Sequence, residues 1–168
     1  AASVSAKGIY TKGDKPYFLT MRIAVGSHGE IITSKGKAGS GTEFLAAAVP
    51  LTISSSIINF TTGILATEDN TTVKISGYNP ALTFINIPST PAVLTVHLNK
   101  GQSYTLAGIG NTIPNRDGFI GAKITADQPV TVTNGNSNGF YATSGSDGSD
   151  LIMDQSVPME RLGNEFTM

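Results

Sequence analysis

The sequence predicts an all-β protein, most simply a two-layer antiparallel β-sandwich with little or no helix. The strongest indication is an alternation of period two: in residues 71–76, Val73 and Ile75 alternate with polar neighbours, as in a strand with one buried and one exposed face. The 19 Gly and 8 Pro supply many turns. Only 14% of the residues are charged, whereas the exposed faces of helices usually carry many Glu, Lys and Arg residues.

The first third of the chain contains three predicted strands. Residues 15–25 alternate in polarity, and four of their side chains are expected to face inward: Tyr17, Leu19, Met21 and Ile23. A Gly-Ser-His-Gly turn leads to a short strand over residues 30–34. Residues 42–48 have the best helix propensity, but the segment is too short for a stable isolated helix and Pro50 soon ends it. We therefore predict a third strand there.

A β-hairpin is predicted in the middle of the chain. Its first strand lies in residues 57–65 and its second strand in residues 71–76. Between them, Asp69 and Asn70 supply turn chemistry, because their short side chains can bond to the neighbouring backbone and tolerate a left-handed conformation. The segment therefore predicts two strands that pair with each other.

Further turn signals predict a second hairpin and two later turns. Residues 93–98 and 102–107 are two alternating runs joined by the turn sequence NKG. After a strand over residues 119–126, the Asn-Gly dipeptides at 134–135 and 138–139 predict two tight turns. Such dipeptides are favoured in turns because they readily adopt positive φ.

The composition excludes several functional classes. A net charge of −1 without a basic run makes nucleic acid and anionic membrane surfaces poor partners, since both bind clustered Lys and Arg. No apolar run approaches the roughly 18 residues of a membrane span. The absence of cysteine excludes thiol catalysis and Cys-ligated zinc. Nothing in the sequence assembles an obvious catalytic site, so we predict that the chain is not an enzyme.

Two small groups of residues are candidate sites. Asp147, Asp150 and Asp154 form the densest acidic group, and closely spaced carboxylates are ligands that Ca²⁺ prefers. They are candidate calcium ligands, although they lack the spacing and terminal Glu of an EF-hand, and a solvated turn is the alternative. Tyr78 and Tyr141 lie near predicted loops and are candidate ligand-binding residues that could stack on sugars. No other cofactor is expected.

Six short motifs together resemble a known family. They are residues 34–36 (SKG), 41–44 (GTEF), 66–72 (ATEDNTT), 98–104 (LNKGQSY), 127–130 (DQPV) and 154–158 (DQSVP). In this order they resemble the IgGFc-binding protein N-terminal-type domain, from about residue 17 to residue 166. The most specific part is TEDNTTV followed by LNKGQSYTL. The resemblance implies a secreted or cell-surface β-rich module with an adhesive or scaffolding role, and it supplies no catalytic residues.

The same resemblance implies a biological setting. Bacterial members of the family occur in large secreted proteins of Bacteroidetes, often with a gliding-motility-type C-terminal sorting domain for type IX export. The absence of cysteine favours this branch. Immunoglobulin binding belongs to the animal members and is not implied here. The implied partners are a protein or glycan ligand at a surface and neighbouring repeats of the same chain.

The expected domain organisation is a single module with short flanking segments. Residues 1–15 are expected to be a lead-in and first strand, and residues 16–162 a β-sandwich repeat module. The sequence GNEF at 163–166 echoes GTEF at 41–44. This echo predicts that residues 163–168 begin a following copy of a tandem repeat.

Overall fold

The computed structural model describes residues 4–5, 8–141 and 148–165, and in this part of the chain the predicted all-β class is confirmed. None of the helices there is long and apolar enough to cross a bilayer. The strands are β1 (Val4–Ser5), β2 (Thr20–Val25), β3 (His28–Thr33), β4 (Ser40–Leu45), β5 (Asn59–Ala66), β6 (Thr71–Ser76), β7 (Val93–Leu98), β8 (Ser103–Ile109), β9 (Lys123–Gly139) and β10 (Asp150–Gln155). The helical segments are α1 (Pro114–Asp117) and two 3₁₀ turns, Gly36–Gly39 and Met159–Arg161.

Strand β9 is the centre of the main sheet. Its 17 residues pair antiparallel with four other strands. One edge of β9 pairs with β4 along its first half and with β10 along its second half. The other edge pairs with β6 and then with β5. Beyond these lie β7 next to β6, and β8 and β1 next to β5. The sheet curls around a shared hydrophobic core in a nearly closed antiparallel arrangement.

Aromatic side chains form the centre of this core. The rings of Phe60 and Phe119 stack with centroids 4.8 Å apart, and Phe84 meets both rings edge-on. Around them pack buried aliphatic residues from both halves of the sheet: Ile64, Val73, Ile75, Val96, Leu98, Leu106, Ile124, Val130 and Val132. The alternating side chains that predicted strands in residues 71–76 and 93–98 therefore point alternately into the core and towards solvent.

The strands of the two predicted hairpins are present, but the prediction that the two strands of each hairpin pair with each other is wrong. β5 and β6 do not pair with each other; both follow the same edge of β9, one after the other. β8 pairs with β5, and β7 pairs with β6. The two predicted turns are therefore bends in a long two-stranded ribbon, at the points where the chain passes from one half of the sheet to the other.

Polar side chains bond the ribbon to itself where it bends. We define the bend corner as residues 66–72, 99–102 and 127–130. There the backbone N–H of Lys100 donates to Asp69 Oδ1 at 3.0 Å, and that of Asn70 donates to Asn99 Oδ1 at 3.1 Å. Asn70 has a φ of 55°. These side chains replace ladder partners that the bend removes. The turn chemistry was identified correctly, but it serves a bend and not a hairpin end.

The bend corner has a predictable acid sensitivity through Asp127. The backbone N–H of Thr72 donates to Asp127 Oδ1 at 2.7 Å. This bond, with smaller effects from the Thr72 side chain and His97, holds the pKa of Asp127 below its ordinary value, although desolvation opposes the shift. Because the pKa is lower in the folded chain, ionised Asp127 stabilises the fold above its unfolded pKa of about 3.9. That contribution is lost as the pH falls through the folded value.

We expect Asp127→Asn to lose less stability on acidification than the wild type does. The amide oxygen of asparagine still accepts from Thr72, but the side chain cannot ionise. The measurement is the urea midpoint of both proteins at about pH 7 and about pH 3. An equal loss in both proteins would contradict the assigned role of Asp127.

The β2–β3 hairpin forms a separate two-stranded sheet, and its predicted inward-facing residues are only partly correct. Tyr17 is 54% exposed and precedes the strand, and Met21 is 37% exposed, whereas Leu19 and Ile23 are half-buried. Tyr17 and Met21 are therefore not buried as predicted. The physical reason is that a two-stranded hairpin beside a sheet has little core of its own to bury an alternating face.

The predicted Asn-Gly turns are also wrong, because both dipeptides lie inside β9. Asn134 and Asn136 are buried and bond to neighbouring segments. Asn134 accepts from the Thr62 hydroxyl at 2.7 Å and donates to the Leu45 carbonyl at 3.1 Å. Asn136 Oδ1 accepts from the backbone N–H of Val49 at 2.8 Å. The amides therefore join β9 to adjacent chain segments, a role that the dipeptide signal does not reveal.

Candidate binding clefts beside the hairpin

Two open clefts lie beside the β2–β3 hairpin. Successive residues of a strand point to opposite faces, and accordingly Ile31 and Thr33 line one cleft while Ile32 and Ser34 line the other. Cleft A, of about 530 Å³, lies between β3, residues 47–49, β9 and β10. Cleft B, of about 480 Å³, lies between the hairpin and the outer face of β5, β8 and β9. Both volumes fall within the range of about 300–1,000 Å³ that is typical of ligand sites.

The charged residues of cleft A connect the hairpin to β10. Lys35 Nζ forms an ion pair with Asp154 Oδ2 at 2.8 Å. The backbone N–H of Lys35 donates to Gln155 Oε1, and the backbone N–H of Met153 donates to Glu30 Oε2 at 3.4 Å. These side chains are therefore engaged in holding β3 and its following turn against β10.

The predicted calcium ligands are placed as follows. Asp147 lies outside the described residues. Asp150 and Asp154 lie on β10, where Asp150 is 3.3 Å from His28 Nδ1 and Asp154 contacts Lys35. A hydrogen bond from the backbone N–H of Leu151, and secondarily His28, hold the pKa of Asp150 below its ordinary value against desolvation.

The two aspartates on β10 are far apart for a shared ion. Four residues along a strand span about 13 Å, whereas calcium ligands lie about 2.3–2.6 Å from the ion. Within the described ranges, no cluster of three or more His, Cys, Asp or Glu side chains is arranged to hold a metal. Calcium binding by Asp147, Asp150 and Asp154 stays a prediction, and it would require β10 to rearrange.

The two predicted tyrosines lie in different environments. Tyr141 is 66% exposed, as a ring that stacks on a ligand must be. Tyr78 is buried, packs edge-on against Phe84 and donates from its hydroxyl to the Pro91 carbonyl. Its burial raises the pKa of the hydroxyl. The expectation that Tyr78 is available near a loop is thus corrected to a core position, and ligand binding by Tyr141 stays a prediction.

Cleft B has a hydroxyl-rich floor and an aliphatic roof. On the floor, Gly63 of β5 pairs with Thr105 of β8 on one side and with Thr133 of β9 on the other. We define the aliphatic roof as Leu19, Met21 and Ile32. Among the described residues that line this cleft, none is charged and none is aromatic. The cleft therefore offers one apolar side and one hydrogen-bonding side.

An exposed apolar loop borders cleft B. We define the apolar rim as Ile9, Tyr10, Tyr17 and Phe18. Tyr10 and Phe18 are 78% and 77% exposed, and Ile9 also lines cleft B. The Tyr17 hydroxyl is 2.6 Å from the Thr11 hydroxyl, which closes the loop. Exposed apolar groups clustered in this way mark interaction sites.

Sequence reasoning did not identify cleft B. Its Ser and Thr residues resemble those on the exposed face of any strand, and its walls come from seven different strands. The one available signal was Gly63, because a glycine inside a strand often marks a bulge or the close approach of another group.

The clefts lie largely within a region that matches a known family. Residues 31–168 match the family model described as IgGFc binding protein. The matched range begins within β3 and contains β4 to β10, whereas the apolar rim and β2 precede it. No curated protein matches the chain significantly, and no solved structure does.

Proposed function

The chain belongs to the IgGFc binding protein family, and from this premise we propose that it is a non-enzymatic binding module of a secreted or cell-surface protein, with an adhesive or scaffolding role. The family is of a binding type, and the match covers most of the chain. Its ligand would be a protein or glycan at a surface.

The observation that carries this proposal is the hairpin with its two clefts and the adjoining apolar rim. A domain with one well-packed core has no internal need for Tyr10 and Phe18 at about three-quarters exposure. Large aromatic side chains contribute strongly to interfaces when a partner covers them. The rim and cleft B lie side by side, so a single ligand could contact both.

The proposed setting is a large secreted protein of the Bacteroidetes type, with repeated modules and a gliding-motility-type sorting domain for type IX export. The six motifs and the absence of cysteine support it. Neighbouring repeats would then be partners, and residues 163–168 would begin the next copy. The complete open reading frame tests this setting, because it should contain further G-x-E-F and E-D-N-T blocks. A parent protein with a single copy would contradict the repeat.

We expect the double variant Tyr10→Ser, Phe18→Ser to reduce adhesion about tenfold or more. Removing two exposed aromatic anchors should cost at least about 1.4 kcal/mol of binding free energy. The measurement is the retention under flow of beads coated with the chain, on surfaces coated with mucin-type glycoprotein or with matrix protein. The matched control is Ile113→Ser, whose side chain is 74% exposed at another site. Equal retention of all three proteins, or retention on neither surface, would argue against the proposal.

The alternative function is a calcium-dependent or carbohydrate-binding domain. The uncharged, hydroxyl-lined floor of cleft B favours the carbohydrate part. The calcium part rests on Asp147, Asp150 and Asp154. Calorimetric titration with Ca²⁺ tests it directly: binding heat and a lower melting temperature in EDTA would support calcium, and the absence of both would remove it.

A further inference from the structure

Neither the backbone conformation at residue 63 nor a close contact within the chain requires a glycine there. It lies in the middle of β5 without a positive φ. A Cβ built on it would meet nothing nearer than the Thr133 carbonyl oxygen at 4.0 Å. Glycine weakens a strand because it loses more backbone freedom on folding than other residues do. The space above Gly63 is therefore open, and it lies on the floor of cleft B.

Hydroxyl groups flank this open space. Thr105 and Thr133 are the direct cross-strand neighbours of Gly63, so their Cα atoms are about 9–10 Å apart. Thr131 lies one row further along the same face. Within the part of the chain that the structure describes, none of these three hydroxyls has a hydrogen-bond partner. Each hydroxyl can both donate and accept, so the floor can bond to a ligand that does both.

The lining of the cleft restricts the charge of the ligand. None of the described lining residues could neutralise a charge, and an ion that leaves water without a partner pays a large desolvation cost. Because the roof is aliphatic, the face of the ligand that lies against the roof must be apolar. An uncharged ligand with one apolar face and a rim of hydroxyls satisfies both conditions.

The same geometry disfavours an extended peptide. Peptides that bind to sheets usually add to a free edge through backbone hydrogen bonds. Strand β5 has β8 on one edge and β9 on the other, so the floor of cleft B is a sheet face and its central strand has no free edge. Binding there must use side-chain hydroxyls, as a sugar can.

We propose that cleft B binds an uncharged sugar residue of a glycan, which lies over Gly63 with its C–H face against the aliphatic roof and its hydroxyls bonded to Thr105 and Thr133. This inference rests on the proposed binding function and names the ligand class and the site. The sugar contacts a sheet face and aliphatic side chains, and the site is separate from Tyr78 and Tyr141.

The test is a titration of the isotope-labelled chain with three neutral disaccharides, followed by the backbone amide resonances. Lactose, cellobiose and diacetylchitobiose are added to about 20 mM, since single-sugar sites are often only of millimolar affinity, near −4 kcal/mol. We expect at least one of them to shift the amide resonances of Gly63, Thr105 and Thr133. A sialylated form of the binding sugar should bind at least about fivefold more weakly, because cleft B offers no counter-charge.

Two variants test the site by different means. Gly63→Val fills the open space with a residue that strands favour, and the double change Thr105→Val, Thr133→Val removes both hydroxyls at nearly constant volume. Each is expected to weaken sugar binding at least about tenfold. The matched control is Thr95→Val, on the exposed face of β7, which should bind within twofold of the wild type. Dispersed amide spectra establish that each variant is folded.

Three outcomes would overturn the proposal: no neutral disaccharide shifts these amide resonances, binding survives Gly63→Val, or the sialylated sugar binds more tightly. The bead assay separates this result from the proposed function. If beads are retained through the apolar rim while no sugar binds in cleft B, the sugar site is rejected and the binding module stands.

Discussion

Phe119→Ala is expected to lower the free energy of unfolding by about 3–5 kcal/mol. The Phe119 side chain is fully buried, stacks on Phe60 at 4.8 Å and meets Phe84 edge-on at 5.9 Å between ring centroids. It lies in the connection between α1 and β9, and its ring holds that connection against the sheet. Truncation would leave a cavity that close-packed neighbours fill only in part. Against a typical domain stability of about 5–15 kcal/mol, this loss is large.

Urea unfolding followed by far-ultraviolet circular dichroism measures the effect of Phe119→Ala. The matched control is Phe18→Ala, because Phe18 is 77% exposed and truncation there should change stability by no more than about 0.5 kcal/mol. If both variants had the same midpoint, the aromatic cluster would not be the centre of the core.

Gly135→Ala is expected to cost at least about 3 kcal/mol and to release β10 from β9. Gly135 has a φ of 145°, and an added Cβ would overlap the carbonyl oxygen of Ile152 and come 2.8 Å from Met153 Cα. These atoms belong to the backbone of β10, which cannot give way as the end of a flexible side chain can. Since Gly135 pairs with Met153, the clash falls on the ladder itself.

Unfolding free energies and amide hydrogen exchange in β10 measure the effect of Gly135→Ala. The control is Gly26→Ala, where φ is 62° but a Cβ would meet nothing within 4 Å. That variant carries only the left-handed strain, about 1–2 kcal/mol. A similar cost at both positions, with β10 still protected from exchange, would show that the approach of β10 to Gly135 does not matter for stability.

The motifs that carry the family resemblance meet in space. Residues 66–72, 98–104 and 127–130 converge at or beside the bend corner, where side chains bond to backbone groups that lack ladder partners. Residues 34–36 and 154–158 meet through Lys35 and Gln155. The motifs therefore maintain the bends and junctions of the fold. This explains why the resemblance predicted the all-β class correctly but did not identify a ligand.

The candidate sites show how far sequence reasoning could reach. Asp154 borders cleft A but is paired with Lys35, a cation 119 residues away in the chain. Tyr78 was chosen for its place near a loop, yet its ring completes the aromatic cluster. The sequence shows that an aspartate can bind a metal and that a tyrosine can stack on a ligand. It does not show which side chains surround Asp154 and Tyr78, since those come from distant segments of the chain.

The sequence by itself determined the all-β class, most strand positions and several of the places where the chain turns, although not at the two Asn-Gly dipeptides inside β9. Each of these depends on neighbours within a few residues, namely side-chain alternation and the short polar residues of turns. Only the tertiary structure decided that β5 and β6 follow β9 in succession and that Gly63 lies open beneath the hairpin. The physical reason is that strand pairing and cleft formation depend on which distant faces cover one another, and a local pattern of buried and exposed residues is compatible with several such arrangements.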